Sequence, residues 1–249
     1  VQGVRTSGMG GRVVAAFQVD VTSHATDGWL DLTKACAALC KALKAKKIQV
    51  VLCDSMVRHA CFPWRDDLRS AQEDLAFAQL NFDDVHGANA SLDWHLAFSL
   101  ASPGKSRLMV AVPKSLFELL SSNFSDKLPA VWSITTGFAN TMTIHQGTLP
   151  NIGWLINVED HSVTFGSWST TGWTWINTVR ASVKSADDLN ALLRQELTIS
   201  GTKVSQNQPL AVAINSLPLT QPQTDRLPGV RLTALNPIQA RFTQLGVPA

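Results

Sequence analysis

Two adjacent acids, Glu159 and Asp160, stand in the middle of "GWLINVEDHSVTFGSW" (153–168), between two runs in which apolar and polar residues alternate. Alternation with period two marks half-buried strands, so the acids sit at the corner of a strand–turn–strand unit. Two chemistries compete for them. Carboxylates at strand ends can hold a hard cation such as Mg²⁺ through oxygen ligands. Acids in a tight turn can instead accept local backbone N–H groups and need no ligand. The hairpin corner is the reading adopted here, with partner contact as a further use of the turn.

Other motifs that could carry chemistry are incomplete. "SPGKSR" (102–107) contains Gly-Lys-Ser, but a P-loop needs another glycine five positions before Gly104, where Ser99 stands. A P-loop lysine also opens a helix, whereas "SRLMVAV" reads as a strand. "GSWSTTG" (166–172) is not the Gly-x-Ser-x-Gly of a hydrolase elbow. His24, His59, His86, His95, His145 and His161 show no metal-binding spacing and read as solvent-facing or hydrogen-bonded. Cys36, Cys40, Cys53 and Cys61 contain no Cys-x-x-Cys and read as small buried apolar residues that fit a reducing compartment. No catalytic residue and no metal site is expected.

The composition is globular. The chain has 249 residues, 45% hydrophobic and 16% charged. Its two halves each carry a net charge of +1, with 12 basic and 11 acidic residues up to position 113 and 9 and 8 beyond. A nucleic-acid partner would call for a basic face, and neither half supplies one. No apolar run approaches the roughly 20 residues that span a bilayer. The opening "VQGVRTSGMGGR" has no apolar segment of the signal-peptide kind, and it lacks an initiator Met.

The elements that would position these residues follow from periodicity. Val1–Thr6 and 11–21 read as strands around the glycine-rich turn "SGMGG", and 27–47 as a helix with lysines crowding its end. "IQVVLCDS" (48–55) reads as a buried strand, with "MVRHACFPW" (56–64) as its partner. Residues 65–82 read as a helix, and "ASLDWHLAFSL" (90–100) as a strand with Leu92, Trp94, Leu96 and Phe98 on one face. "SPGK" is a turn, 106–113 a strand, 114–124 a helix, and "AVWSITT" (130–136) a strand entering a short helix. Then come a three-stranded meander from 153 to 181, a helix capped by Ser185, and strands at 209–216 and 230–235. A meander, helix and strand thus occur twice, which predicts an α/β protein of two tandem lobes, 1–130 and 131–249, with mixed sheets flanked by helices.

This order resembles the actin-like cytoplasmic assembly proteins of bacterial type IV pilus and type II secretion systems, the PilM and GspL types. The most specific piece is "VVLCDSMVRHACFPW", then a helix, then "NFDDVHG", then a strand bearing Trp94. The resemblance implies two lobes of the ribonuclease-H-like fold and a cytoplasmic location at the inner face of the cytoplasmic membrane. It also implies protein partners in an inner-membrane assembly platform. PilM-like members bind ATP, whereas GspL-like members are treated as scaffolds.

Actin-like ATPases cradle phosphates in two glycine-bearing hairpin turns, with an Asp at each strand end for Mg²⁺. Here "TSGMGGR" offers Gly8, Gly10 and Gly11 without a preceding Asp, and "NVEDHSV" offers Glu159 and Asp160 without a glycine. Neither turn has both parts. The expectation is therefore a non-catalytic scaffold without cofactor. The alternative is an ATP-binding protein or small-molecule kinase, with Mg-nucleotide held by those five residues.

The chain has eight tryptophans and no tyrosine. Trp173 and Trp175, two apart on one strand, are read as sharing a face. They pack into the core or form an aromatic surface for a partner, since tryptophan anchors dominate interfaces. Trp64 and Arg65, after Pro63, are the other candidate partner contacts.

Overall fold

The computed structural model describes residues 2–7, 12–18, 34, 37–38, 40–41, 47–99, 101–121, 130–147, 149–200, 209–214 and 231–235. The chain forms two compact units, each drawn from separated stretches. One comprises Val1–Val51, Pro113–Thr135 and Ala240–Ala249, the other Leu52–Val112 and Thr136–Gln239.

In the first unit, β1 (Gln2–Ser7) and β2 (Arg12–Gln18) form the expected antiparallel hairpin, with a register shift between Arg5 and Thr6. Gly8, Gly10 and Gly11 lie outside the described residues, as does most of the helix expected over 27–47, of which Lys34, Ala37, Ala38, Cys40 and Lys41 are helical. β3 (Lys47–Leu52) pairs with β7 (Ala130–Thr136). It is not buried throughout as expected, because Val51 is 46% exposed. A strand in a two-stranded pair has fewer neighbours to cover it than one inside a wide sheet. α2 (Lys114–Ser121) buries Leu116 and Leu120, one turn apart.

The second unit holds two sheets. In the first, β4 (Arg58–Phe62), β6 (Arg107–Pro113) and β5 (Trp94–Phe98) lie in the order β4-β6-β5. β4 pairs antiparallel with β6 and not with β3, which corrects the partner assigned from sequence. α1 (Ala71–His86) packs Ala78 and Phe82 against Ala60, Phe62, Met109 and Ala111, with Trp94, Leu96 and Phe98 around them.

α1 starts at Ala71 rather than Arg65. Ser70 caps it by accepting the Glu73 N–H at 3.2 Å, and the Glu73 carboxylate accepts the Arg69 N–H at 2.7 Å. The Ser70 bond satisfies one of the donors that a helix start would otherwise orphan, and the Glu73 bond ties the preceding residue to the first turn. β5 starts at Trp94, because Ala90–Asp93 is a 3₁₀ turn entered through Asn89 at φ 63°. Asp83 holds that turn by accepting the Ser91 N–H at 2.7 Å and its hydroxyl at 3.1 Å. Leu92 therefore leaves the strand face and is 64% exposed.

The second sheet has five strands in the order β10-β9-β8-β11-β12: β8 (Gly153–Val158), β9 (Val163–Ser169), β10 (Gly172–Val179), β11 (Pro209–Ile214) and β12 (Arg231–Leu235). β8, β9 and β10 form the expected antiparallel meander, and β11 runs parallel to β8 and β12. A parallel return needs a crossover, and α4 (Ala186–Ile199) lies in it. Ser185 and Asp188 form a full capping box at its start, as the sequence suggests.

β8 is buried on both faces. Trp154, Ile156 and Val158 pack with Phe165 and with Leu189 and Leu193 of α4, while Leu155 packs with Phe138 of α3 (Gly137–His145) and Leu108. Each such large apolar side chain contributes about 1.5–3 kcal/mol on full burial. Trp173 and Trp175 do not share a face. The β9–β10 register shifts between them, so Trp173 joins Phe138 and Trp168 while Trp175 packs on Trp154. A bulge inserts one residue and cancels the period of two.

Candidate functional site

The described acids and histidines converge most closely at a buried polar cluster in the second unit. Cys53 follows β3, and Asp54 opens a 3₁₀ turn (Asp54–Met56) directly after it. The Asp54 side chain is fully buried. A buried carboxylate is tolerated only when hydrogen-bonded, and both oxygens are engaged. Oδ1 accepts the Phe138 N–H at 2.9 Å, and Oδ2 accepts the Asn157 amide N–H at 2.7 Å. Phe138 stands in the first turn of α3, where backbone N–H groups lack helical partners and the helix dipole favours a negative charge. Thr136 caps the same helix by accepting the Ala139 N–H at 3.2 Å. Asn157 is held in turn by the Thr141 hydroxyl at 3.1 Å.

Glu159 directly follows β8 and turns inward. Its Oε2 accepts the Asp54 backbone N–H at 2.8 Å and the Ser162 hydroxyl at 3.0 Å. The Glu159 N–H donates to the Ser162 carbonyl at 2.9 Å and closes the hairpin. Oε1 lies over Gly137, where a Cβ would collide with it, so the glycine is what admits the carboxyl. Burial pushes the Glu159 carboxyl up to about 7, and the Asp54 charge adds to the rise. Asp160, beside it, is exposed.

His59, on β4, completes the cluster. Its ring nitrogens meet the Thr178 hydroxyl at 3.2 Å and the Thr136 hydroxyl at 3.4 Å, and Nε2 stands 3.8 Å from Asp54 Oδ1. Burial holds its pKa below the ordinary histidine value, with Asp54 opposing. Thr164 hydrogen-bonds Thr178 at 3.0 Å and carries the network into the large sheet.

The sequence picked out Glu159 and Asp160, and the structure separates them. Glu159 accepts one local donor, the Ser162 hydroxyl, and one distant donor, the Asp54 N–H, while Asp160 is exposed. Asp54 and His59 lie in "VVLCDSMVRHACFPW", the piece that carries the resemblance, but neither they nor Asn157 were given a site role from sequence. The acid directly after a continuous apolar strand was the available signal for Asp54. Among the described residues, no group of three or more His, Cys, Asp or Glu is placed to hold a metal.

Cys53 is exposed, against the expectation of burial, and its thiol is pushed up to about 11 by desolvation and then by the charges of Glu159, Asp54 and Asp160. The Trp64 indole donates to Asp66 at 2.6 Å, and Arg65 pairs with Asp67 through two bonds of 2.8 and 2.6 Å. Arg65 also lies over the Phe77 ring at 5.2 Å. The structure therefore gives these two residues a defined place in the loop before α1. Trp173 and Trp175 are half-buried on opposite faces of β10.

The class defined by these sheets is α/β with an actin-like fold. Among solved structures, the chain is similar to the cytoplasmic domain of EpsL, an inner-membrane component of the type II secretion system of Vibrio cholerae, with TM-score 0.59, 15% identity, and cover of 100% of this chain and 89% of that one. It is also similar to a structure of the PilM–PilN type IV pilus biogenesis complex, with TM-score 0.63, 12% identity and cover of 96% and 86%. A third similar structure is a Bacteroides thetaiotaomicron protein with an actin-like ATPase fold, with TM-score 0.50, 11% identity and cover of 94% and 77%. The resemblance read from the sequence holds at the level of the fold. No protein-family model matches the chain, and no curated protein matches its sequence.

Proposed function

We propose that this chain is a non-catalytic actin-like scaffold of a bacterial pilus-assembly or secretion apparatus, with a degenerate nucleotide site. The observation that carries the reading is the inward turn of Glu159. The acid that the second hairpin offers for Mg²⁺ is hydrogen-bonded to the Asp54 N–H and Ser162 instead. The fold likeness to EpsL and to the PilM–PilN complex supports the setting. Fold by itself does not assign activity, so the hairpin geometry matters more than the likeness.

In this reading the chain consists of two tandem ribonuclease-H-like lobes, 1–130 and 131–249. The meander, crossover helix and parallel strand of the second half support that division. The chain would work in the cytoplasm at the inner face of the membrane. There it would hold a segment of an inner-membrane partner by strand addition or helix docking. No helix among the described residues is long and apolar enough to cross a membrane, so the partner would supply the anchor.

Calorimetric titration of the purified chain with Mg-ATP and a non-hydrolysable analogue tests the proposal. The expected result is no binding heat from a well-folded sample. Micromolar affinity would replace the scaffold with an ATP-dependent switch, with Gly8, Gly10, Gly11, Glu159 and Asp160 as the residues to substitute first.

A further inference from the structure

We propose that β5 is a docking edge for a second copy of this chain, the two β5 strands pairing antiparallel about a two-fold axis at Leu96. β5 (Trp94–Phe98) is an end strand of the small sheet, and among the described residues its sheet neighbour is β6. The other end strand, β4, is turned to β10, where His59 meets the Thr178 hydroxyl at 3.2 Å.

Alternation fixes which main-chain groups of β5 face outward. The Ser99 N–H, just past the strand, donates to the Leu108 carbonyl of β6 at 2.8 Å. Main-chain groups alternate sides along an antiparallel strand, so positions 95 and 97 also face β6, while Leu96 and Phe98 direct theirs away from it. The Trp94 N–H is taken by the Ser91 carbonyl, and its own carbonyl points outward. Native sheets guard such an edge with charges, proline or a bulge. "WHLAF" contains no Lys, Arg, Asp, Glu or Pro, so the edge is a template for another strand.

The residues along this edge complement themselves, which selects a second copy as the occupant. A two-fold axis at Leu96 sets Leu96 opposite Leu96 and Trp94 opposite Phe98. Each Leu96 N–H then meets the other Leu96 carbonyl, and each Phe98 N–H meets a Trp94 carbonyl. Trp94, Leu96 and Phe98 pack half-buried on the α1 side of the sheet, and the pairing gives each an apolar cross-strand neighbour on that same side. Charge agrees with this orientation. Asp93 is exposed directly before β5, and Lys105 is exposed in the turn beyond its other end. Arg58, at the Asp93 end, is held on the Trp94 ring at 5.0 Å and by the His86 ring at 3.0 Å. Antiparallel pairing brings Asp93 of each copy toward Lys105 of the other, where opposite charges favour the register.

Sedimentation equilibrium of the full chain, from about 1 to about 100 μM, tests the pairing. The wild type should pass from the 27.0 kDa monomer to twice that mass as concentration rises. Leu96→Pro deletes an outward N–H that β6 does not use, so it should abolish the dimer across the range. Ala97→Lys stands at an exposed position and places a charge on the edge, and it should weaken the dimer about three-fold or more. It keeps the test open should Leu96→Pro fail to fold. Lys105→Glu should weaken the dimer about three-fold, and adding Asp93→Lys should restore it with the signs exchanged. A wild type that stays monomeric would overturn the proposal and leave the edge to a strand from another protein. Unchanged affinity in Ala97→Lys, or a charge exchange that fails to restore pairing, would also overturn it.

Discussion

The carboxylate of Asp54 accepts the backbone N–H of Phe138 at 2.9 Å, across 84 residues of sequence. A strand end thereby caps a helix from a distant part of the chain. Asp54→Ala would leave the Phe138 N–H and the Asn157 amide without their acceptor in a site closed to water. Each buried donor so orphaned costs about 1–3 kcal/mol, so the variant should lose about 2–6 kcal/mol in all. Urea unfolding measures this as a lower midpoint at unchanged slope. A loss under about 1 kcal/mol would mean that water enters and replaces the carboxylate.

The elements were largely legible in the sequence, and the tertiary polar contacts were not. The β8–β10 meander and the Ser185 cap follow from alternation and from a cap three residues before an acid, signals that are local. Three misreadings share one cause. The α1 start, the Leu92 face and the Trp173–Trp175 face each looked like unbroken periodicity. Each was interrupted by a local hydrogen bond or an inserted residue that period counting does not see. The partner of β4 and the convergence of Asp54, His59 and Asn157 depend on contacts between distant segments, and a single sequence carries no local trace of those.

The bulge between Trp173 and Trp175 brings Trp173 over Gly166. A Cβ at Gly166 would stand 2.5 Å from the Phe138 Cζ and 2.9 Å from a Trp173 ring carbon. Neither ring can retreat without disturbing the cluster of Leu108, Phe138 and Leu155. Gly166→Ala should therefore destabilise by about 1–3 kcal/mol through overpacking. Thermal unfolding followed by near-ultraviolet circular dichroism should show both the lower midpoint and a changed tryptophan signal.

Arg107 joins β6 to α1 through two bonds to Asp74, at 2.8 and 2.7 Å, while its guanidinium lies 4.5 Å from the Phe62 ring centre. Both side chains are largely shielded, at 14% and 31% exposure. A lysine offers one point charge in place of a planar fork and stacks poorly on a ring. Arg107→Lys should thus destabilise measurably, by about 1–2 kcal/mol, and Arg107→Ala by more, about 2–4 kcal/mol. Denaturant midpoints of the two variants compared with wild type give the ordering, and equal losses would show that the fork geometry contributes nothing.

If the chain is a scaffold, Trp64 is a candidate anchor for its partner. Trp64→Ala removes one indole bond to Asp66 in an exposed loop, so unfolding should be unchanged within about 0.5 kcal/mol. A tryptophan anchor at an interface contributes about 2 kcal/mol or more, which weakens capture of an inner-membrane partner at least about thirty-fold. Binding isotherms with intact thermal unfolding would support the assignment. Unaltered affinity would remove Trp64 from the interface.

Two groups shielded from water to different degrees, half-buried Glu159 and buried His59, give the stability of this protein opposing dependences on pH. Glu159 has its folded pKa raised to about 7 from 4.5, so between those values the folded state binds the extra proton. Its contribution is complete below 4.5 and is lost as pH rises through about 7. His59 has its folded pKa lowered from 6.5, so the unfolded state binds the extra proton in its window. Its contribution is complete above 6.5 and is lost as pH falls through its depressed folded value. The two partly cancel below 6.5, while from 6.5 to about 7 Glu159 acts alone and stability falls with rising pH. Glu159→Gln removes one of these terms and leaves the other. Urea unfolding of that variant from pH 5 to 8 should therefore show stability rising toward 6.5 and then holding level, where the wild type declines. A wild-type decline that persists in Glu159→Gln would assign the titration to another group.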